Sequence, residues 1–65
     1  MIYWQIHLGG NYVGGLTFPE GQRPLVGQVF LLGPSVNFHG MSADILCFCR
    51  EVSDAAPFAY FEPVP

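Results

Sequence analysis

The sequence predicts a mostly β domain, a small five-stranded antiparallel barrel or sandwich of the SH3-like or OB-like kind. Two observations support this prediction. Short apolar segments are rich in strand-forming side chains, and glycine and proline interrupt them at short intervals. Because 65 residues make one domain at most, we expect residues 1–65 to form a single small β domain.

The N-terminal segment has the clearest period in the chain. In residues 1–8 every second side chain from position 2 onward is apolar, which predicts a strand with one buried face and one exposed face. The intervening side chains, Tyr3, Gln5 and His7, are expected on the exposed face.

A second strand is predicted over residues 12–18, after a glycine-rich turn at residues 9–11. Gly14 and Gly15 in its middle indicate a bulge, a bend or a close approach of another group to the backbone. Residues 19–24 are the most polar segment of the chain and are bracketed by prolines, which predicts an exposed loop.

The strongest strand prediction covers residues 25–32. They are apolar on both faces, as expected of a strand that is covered on both sides. A short strand is also predicted over residues 36–38. The last strand is predicted over residues 58–64, and we expect it at a sheet edge because Pro63 and Pro65 cannot donate ladder hydrogen bonds.

Residues 41–56 are compatible with two structures. As a short helix, their apolar side chains would form one stripe, with Ser42 as N-cap and Pro57 beyond the end. As a strand, residues 45–49 are rich in strand formers, and the flanking residues are typical of turns. We favour the strand.

The best strand patterns also predict which side chains form the core. The expected core residues are Trp4, Ile6, Val29, Leu31, Phe48 and Phe61. In a chain this short, truncating one of these side chains to alanine would remove a large part of the free energy of unfolding.

Composition excludes several classes of function. The net charge is −3, lysine is absent, and Arg23 and Arg50 are the only fixed cations, so we expect no nucleic-acid partner. No apolar run approaches the roughly 18–20 residues that cross a bilayer, so we expect no membrane partner. The chain shows no secretory signal, and a C-x-C pair rarely forms a disulfide with itself, so we expect reduced thiols and a cytoplasmic location.

The residues capable of chemistry give only weak patterns. The best candidate metal ligands are His7, His39, Cys47 and Cys49, but C-x-C is tighter than the usual spacing of zinc sites, and the two histidines are far apart in sequence. The cysteines are expected to be buried apolar residues. We therefore expect no enzyme activity, no cofactor and no metal, and we keep a metal- or thiol-dependent protein as the alternative.

The main functional expectation is binding. Tyr3, Gln5, His7, Arg23 and His39 would form a recognition patch if they converge, because aromatic rings and arginine dominate binding hot spots. Only 11% of residues are charged, so the apolar surface needs a cover, and a homo-oligomer, most simply a dimer, would supply it. We expect a small module that binds another protein or holds a small ligand between subunits. Its size suits an accessory or inhibitor protein, including those of phages.

Overall fold

The computed structural model describes residues 1–65 and contains five strands with almost no helix, which confirms the mostly β fold. The strands are β1 (Ile2–Leu8), β2 (Asn11–Phe18), β3 (Val29–Leu32), β4 (Ile45–Ser53) and β5 (Phe58–Pro63), and Pro34–Val36 form one 3₁₀ turn. The favoured strand in residues 41–56 is thus confirmed as β4. The protein has no helix of the length and apolarity that crossing a membrane requires.

The five strands form one curled sheet, a half-barrel, in the order β2-β1-β5-β4-β3. Three neighbouring pairs are antiparallel as expected, whereas β1 and β5 are parallel. The expectation of a wholly antiparallel sheet is wrong for this pair, because a short turn dictates the relative direction of only the two strands that it joins. β1 and β5 come from opposite ends of the chain, and no turn connects them.

The position of β5 corrects a second expectation. This strand lies in the middle of the sheet, so the prediction that prolines mark it as an edge is wrong. Pro63 occupies its last position, where a missing N–H removes little from the ladder, and Pro65 lies beyond it. The edges of the sheet are instead β2 and β3.

Strand β3 is shorter and less covered than the sequence indicates. Residues 25–28 form a turn, in which the N–H of Gln28 donates to the carbonyl of Leu25 at 3.0 Å. Val29 and Leu31 are 50% and 47% exposed, so the prediction of a strand covered on both faces is wrong. A single layer of strands covers one face only, and the chain supplies no second layer. The strand predicted at residues 36–38 is also wrong, because this segment belongs to the 3₁₀ turn and the loop after it.

The core lies on the concave face of the half-barrel. It consists of nine buried apolar residues: Trp4, Ile6, Leu32, Phe38, Met41, Cys47, Cys49, Ala59 and Phe61. The core prediction is right for the three members of this set that it named, Trp4, Ile6 and Phe61. It is wrong for Val29, Leu31 and Phe48, which strand alternation places on the outer face.

The loop between β3 and β4, residues 33–44, fills the open side of the half-barrel with Phe38 and Met41. Its conformation is held by Asp44, whose carboxylate accepts hydrogen bonds from the backbone N–H of Ser35 at 3.1 Å and from its hydroxyl. These hydrogen bonds lower the pKa of Asp44. The backbone N–H of Phe38 also donates to the carbonyl of Gly33 at 3.0 Å, which directs the ring towards the core.

The two glycines in β2 make room for one aromatic ring on each face of the sheet. A Cβ atom on Gly14 would lie 2.9 Å from the ring of Phe38, on the concave side. A Cβ atom on Gly15 would overlap the ring of Tyr3, on the outer side. The pair also follows a bulge, where Val13 is the extra residue of β2. Two of the three sequence interpretations of these glycines, a bulge and a close approach, are therefore confirmed.

Replacing Gly14 by alanine is expected to destabilise the protein by about 1–3 kcal/mol, because the methyl group overpacks Phe38 and a φ of +147° disfavours any side chain. Gly15→Ala should cost less, because the half-exposed ring of Tyr3 can move into solvent. Urea unfolding of each variant measures these costs. Tyr3→Ala should remove most of the cost of Gly15→Ala, and an undiminished cost in the double variant would show that Tyr3 does not cause it.

Candidate functional site

The outer face of the half-barrel brings four aromatic rings together across three neighbouring strands. The register pairs His7 on β1 with Tyr12 on β2 and with Tyr60 on β5. The ring centroid of His7 lies 5.7 Å from that of Tyr12, 5.4 Å from that of Tyr60 and 5.3 Å from that of Phe58. We call these four side chains the aromatic patch.

A pair of tyrosine hydroxyls extends the aromatic patch along β1. The hydroxyl oxygens of Tyr3 and Tyr12 lie 2.7 Å apart and share a hydrogen bond. This hydrogen bond, together with partial desolvation, raises the pKa of Tyr3 above its ordinary value. Both tyrosines are about half exposed, so they present an apolar ring and a polar tip to any partner.

His7 lies at the centre of the aromatic patch with an unsatisfied nitrogen. Its Nε2 atom is buried and has no hydrogen-bond partner. Leaving such a group unpaired costs about 1–3 kcal/mol, and an apolar ring of similar size would avoid this cost. A residue that lowers stability by burying an unpaired polar atom, and that lies within an exposed patch, is typical of a functional position.

The structure keeps the β1 candidates together. Tyr3, Gln5 and His7 share the outer face of β1, as the period of two predicts. Gln5 lies between the aromatic patch and Tyr3, with Gly15 opposite it on β2.

The other two candidate residues lie elsewhere. Arg23, in the loop after β2, forms an ion pair with Asp54 at 2.8 Å and lines a cleft with the concave residue Trp4. His39 is exposed in the loop before β4 and makes no aromatic contact with the patch. The structure therefore does not bring Arg23 and His39 together with Tyr3, Gln5 and His7.

Sequence reasoning missed three residues of the aromatic patch. Tyr12, Phe58 and Tyr60 complete it, and the alternation in residues 58–62 does put Phe58 and Tyr60 on one face. What the sequence lacks is a signal that β5 lies beside β1, since this parallel pairing joins distant parts of the chain.

A second, purely aliphatic cluster lies on the same outer face near the β3 edge. Val29, Leu31 and Leu46 are each about half exposed, and the register places Leu31 directly opposite Leu46. We call these three side chains the aliphatic patch. Nearby, Glu62 is paired with Arg50 at 3.6 Å, so both arginines of the chain have an acidic partner.

The cysteines belong to the core. The Cys47 and Cys49 side chains are fully buried and free, and burial raises the pKa of both thiols. Their sulfur atoms contact backbone carbonyls, with Cys47 Sγ 3.4 Å from the oxygen of Ile45. A buried thiol with a raised pKa is a poor nucleophile, because little of it is present as thiolate.

The four candidate metal ligands do not converge. No three His, Cys, Asp or Glu side chains lie close enough together to hold a metal ion. His7 points to the outer face, whereas Cys47 and Cys49 point into the core.

A shallow cleft of about 310 Å³ lies at the loop after β2. Its size is at the lower end of the range for small-molecule sites. Trp4 lines it, together with the Arg23–Asp54 ion pair. Because Asp54 neutralises Arg23, the cleft offers no free charge to a ligand.

Comparisons with protein-family models, with curated proteins and with solved structures find no match for this chain. Its function must therefore be inferred from its own surfaces, of which the aromatic and aliphatic patches are the most distinctive.

His7→Phe is expected to raise the free energy of unfolding by about 0.5–1.5 kcal/mol, because the variant fills the same space without a buried, unpaired nitrogen. Urea unfolding at neutral pH measures the change. The matched control is His39→Phe at an exposed loop position, where we expect a change within about 0.5 kcal/mol. A loss of stability in His7→Phe would show that the imidazole makes a stabilising interaction.

Because the thiols of Cys47 and Cys49 are buried, we expect the protein to lose stability as pH rises from about 8 towards 10. The pKa values of both thiols are raised in the folded state. Their contribution to the free energy of unfolding is therefore complete below the unfolded-chain pKa of about 8.5, and it is lost as pH rises towards the folded-state pKa. Urea unfolding across this range should give a shallower pH dependence for the Cys47→Ala, Cys49→Ala double variant than for the unchanged protein. Equal slopes would contradict the raised pKa values.

Proposed function

We propose that this protein is a small non-enzymatic interaction module that recognises a protein partner through the outer face of its sheet. The supporting observation is the aromatic patch, in which four rings from three strands form one contiguous surface without a covering layer. Aromatic side chains supply much of the binding energy in protein interfaces, and a rigid sheet holds them at a small entropic cost.

A protein partner suits the charges better than a nucleic acid does. Aromatic rings can stack on bases, but such sites combine stacking with a basic groove. Here Arg23 is paired with Asp54 and Arg50 with Glu62, lysine is absent, and the net charge is −3. Neither arginine is free to neutralise a phosphate, whether in a nucleic acid or in an anionic lipid.

Self-association is the second part of the proposal. The aliphatic patch leaves Val29, Leu31 and Leu46 half exposed in a chain with only seven charged residues. A second copy of the chain would cover this surface, and a twofold dimer is the simplest closed arrangement. A small ligand held between subunits has less support, because the cleft beside Arg23 is shallow and lies away from both patches.

The metal- or thiol-dependent alternative also has less support, since its candidate ligands are separated and both thiols are buried. Free thiols accord with a reducing compartment, and on this ground we propose a cytoplasmic location. The small size and the binding surfaces suit an accessory or inhibitor protein.

Affinity capture from a lysate of the source cells tests the recognition surface. We expect the unchanged protein to retain a defined partner and the His7→Ala, Tyr12→Ala double variant to lose it, because both substitutions remove rings from the aromatic patch. Mass spectrometry with isotope labelling quantifies each retained protein.

The matched control is the Leu25→Ala, Val26→Ala double variant, which removes two exposed apolar side chains from the turn before β3. It should retain the same partner as the unchanged protein. Circular dichroism establishes that all variants are folded. Equal retention by the patch variant and the control would exclude the aromatic patch as the recognition surface.

A further inference from the structure

The outer edge of β3 is an unpaired strand edge. β4 is the only neighbour of β3 in the sheet, and no backbone hydrogen bond from a turn or loop reaches Val29 or Leu31. The unpaired edge of a strand is a template for pairing with another strand.

Backbone hydrogen bonds identify which groups of β4 face β3. The N–H of Cys49 donates to the carbonyl of Gln28 at 2.9 Å, and the carbonyl of Cys49 accepts from Gly27 at 2.7 Å. Backbone direction alternates along a strand, so Cys47 and Ile45 also face β3. The intervening Leu46 accepts from Val64 on the opposite side, in agreement with this alternation.

The same alternation directs the backbone of β3. Phe30 and Leu32 lie opposite the β3-facing residues of β4 and form the ladder with them. The N–H and C=O groups of Val29 and Leu31 therefore point towards the free edge. Four backbone groups on this edge are left for a partner strand or for water.

The β3 edge lacks the features that prevent pairing in monomeric sheet proteins, which are charges, prolines and bulges. No charged residue occurs in the twenty positions from 24 to 43, and β3 has no bulge. The other edge, β2, differs, because it contains a bulge at Val13. The two edges of the sheet are therefore not equivalent.

We propose that two copies of this chain pair through their β3 edges, antiparallel about a twofold axis at Phe30. This inference rests on the self-association part of the proposed function and specifies its geometry. With Phe30 at the axis, Val29 of one copy lies opposite Leu31 of the other, and their free backbone groups form a hydrogen-bonded pair. A shift by one residue would place outer-face side chains opposite core side chains, which the pleat forbids.

Side chains and charges both favour this pairing. Val29 and Leu31 of the two copies become neighbours on the outer face and join the two aliphatic patches into one surface. Each chain has a net charge of −3, but the paired segments carry no charge, so no like charges oppose each other at the seam. Because β3 has four residues, the interface is small, and we expect dissociation in the micromolar range.

Sedimentation velocity from about 1 to 200 μM tests the pairing with two variants. Leu31→Pro removes an edge N–H that makes no bond to β4, so it should weaken the dimer at least about tenfold. Leu46→Lys places a charge one strand away from the seam, where edge pairing leaves it in solvent, so dimerisation should change less than about threefold. Urea unfolding establishes that both variants are folded.

Amide hydrogen exchange in the unchanged protein gives a second readout that needs no substitution. In the dimer all four amides of β3 are protected, and protection of Val29 and Leu31 rises with protein concentration. Without edge pairing, only Phe30 and Leu32 are protected, because their amides bond to β4.

The outcomes separate this inference from the proposed function. A dimer that Leu46→Lys dissociates and Leu31→Pro leaves intact, with rapid exchange at Val29 and Leu31, would overturn edge pairing in favour of face-to-face packing, and self-association would stand. A monomer at every concentration would overturn both self-association and edge pairing. Recognition through the aromatic patch would then still be decided by affinity capture.

Discussion

The packing of Phe38 against Gly14 is the contact on which the rest of the structure depends. Five curled strands leave one side of the half-barrel open, and the loop before β4 closes it by inserting the Phe38 ring. The ring fits because position 14 has no side chain. Since the longest loop of the chain fills the concave side, no segment remains to cover the outer face, which leaves both surface patches exposed.

Because the chain has few charged residues, uncharged side chains occupy most of the outer face of the sheet. In most small domains lysine and glutamate solvate the uncovered face of a sheet. Here lysine is absent and the two arginines are engaged with Asp54 and Glu62. Tyrosine, histidine, valine and leucine take the place of charged residues, and of these tyrosine is enriched in the hot spots of protein interfaces.

Local patterns were sufficient for most individual strands. The alternation in residues 1–8 predicted the two faces of β1 correctly, and strand-forming residues around Cys47 identified β4, because both features depend on neighbours in sequence. The apolar run at residues 25–32 was misleading. A run that is apolar on both faces is typical of a doubly covered strand, yet here it forms a strand whose outer face is half exposed.

The sequence by itself determined a small, charge-poor, mostly β domain with Tyr3, Gln5 and His7 on one face of its first strand. Only the tertiary structure decided that β5 runs parallel to β1, and this pairing brings Phe58 and Tyr60 to His7. The physical reason is that side-chain periodicity depends on each strand alone. The order and direction of strands depend on how the whole core packs, and contacts between distant segments leave no local pattern.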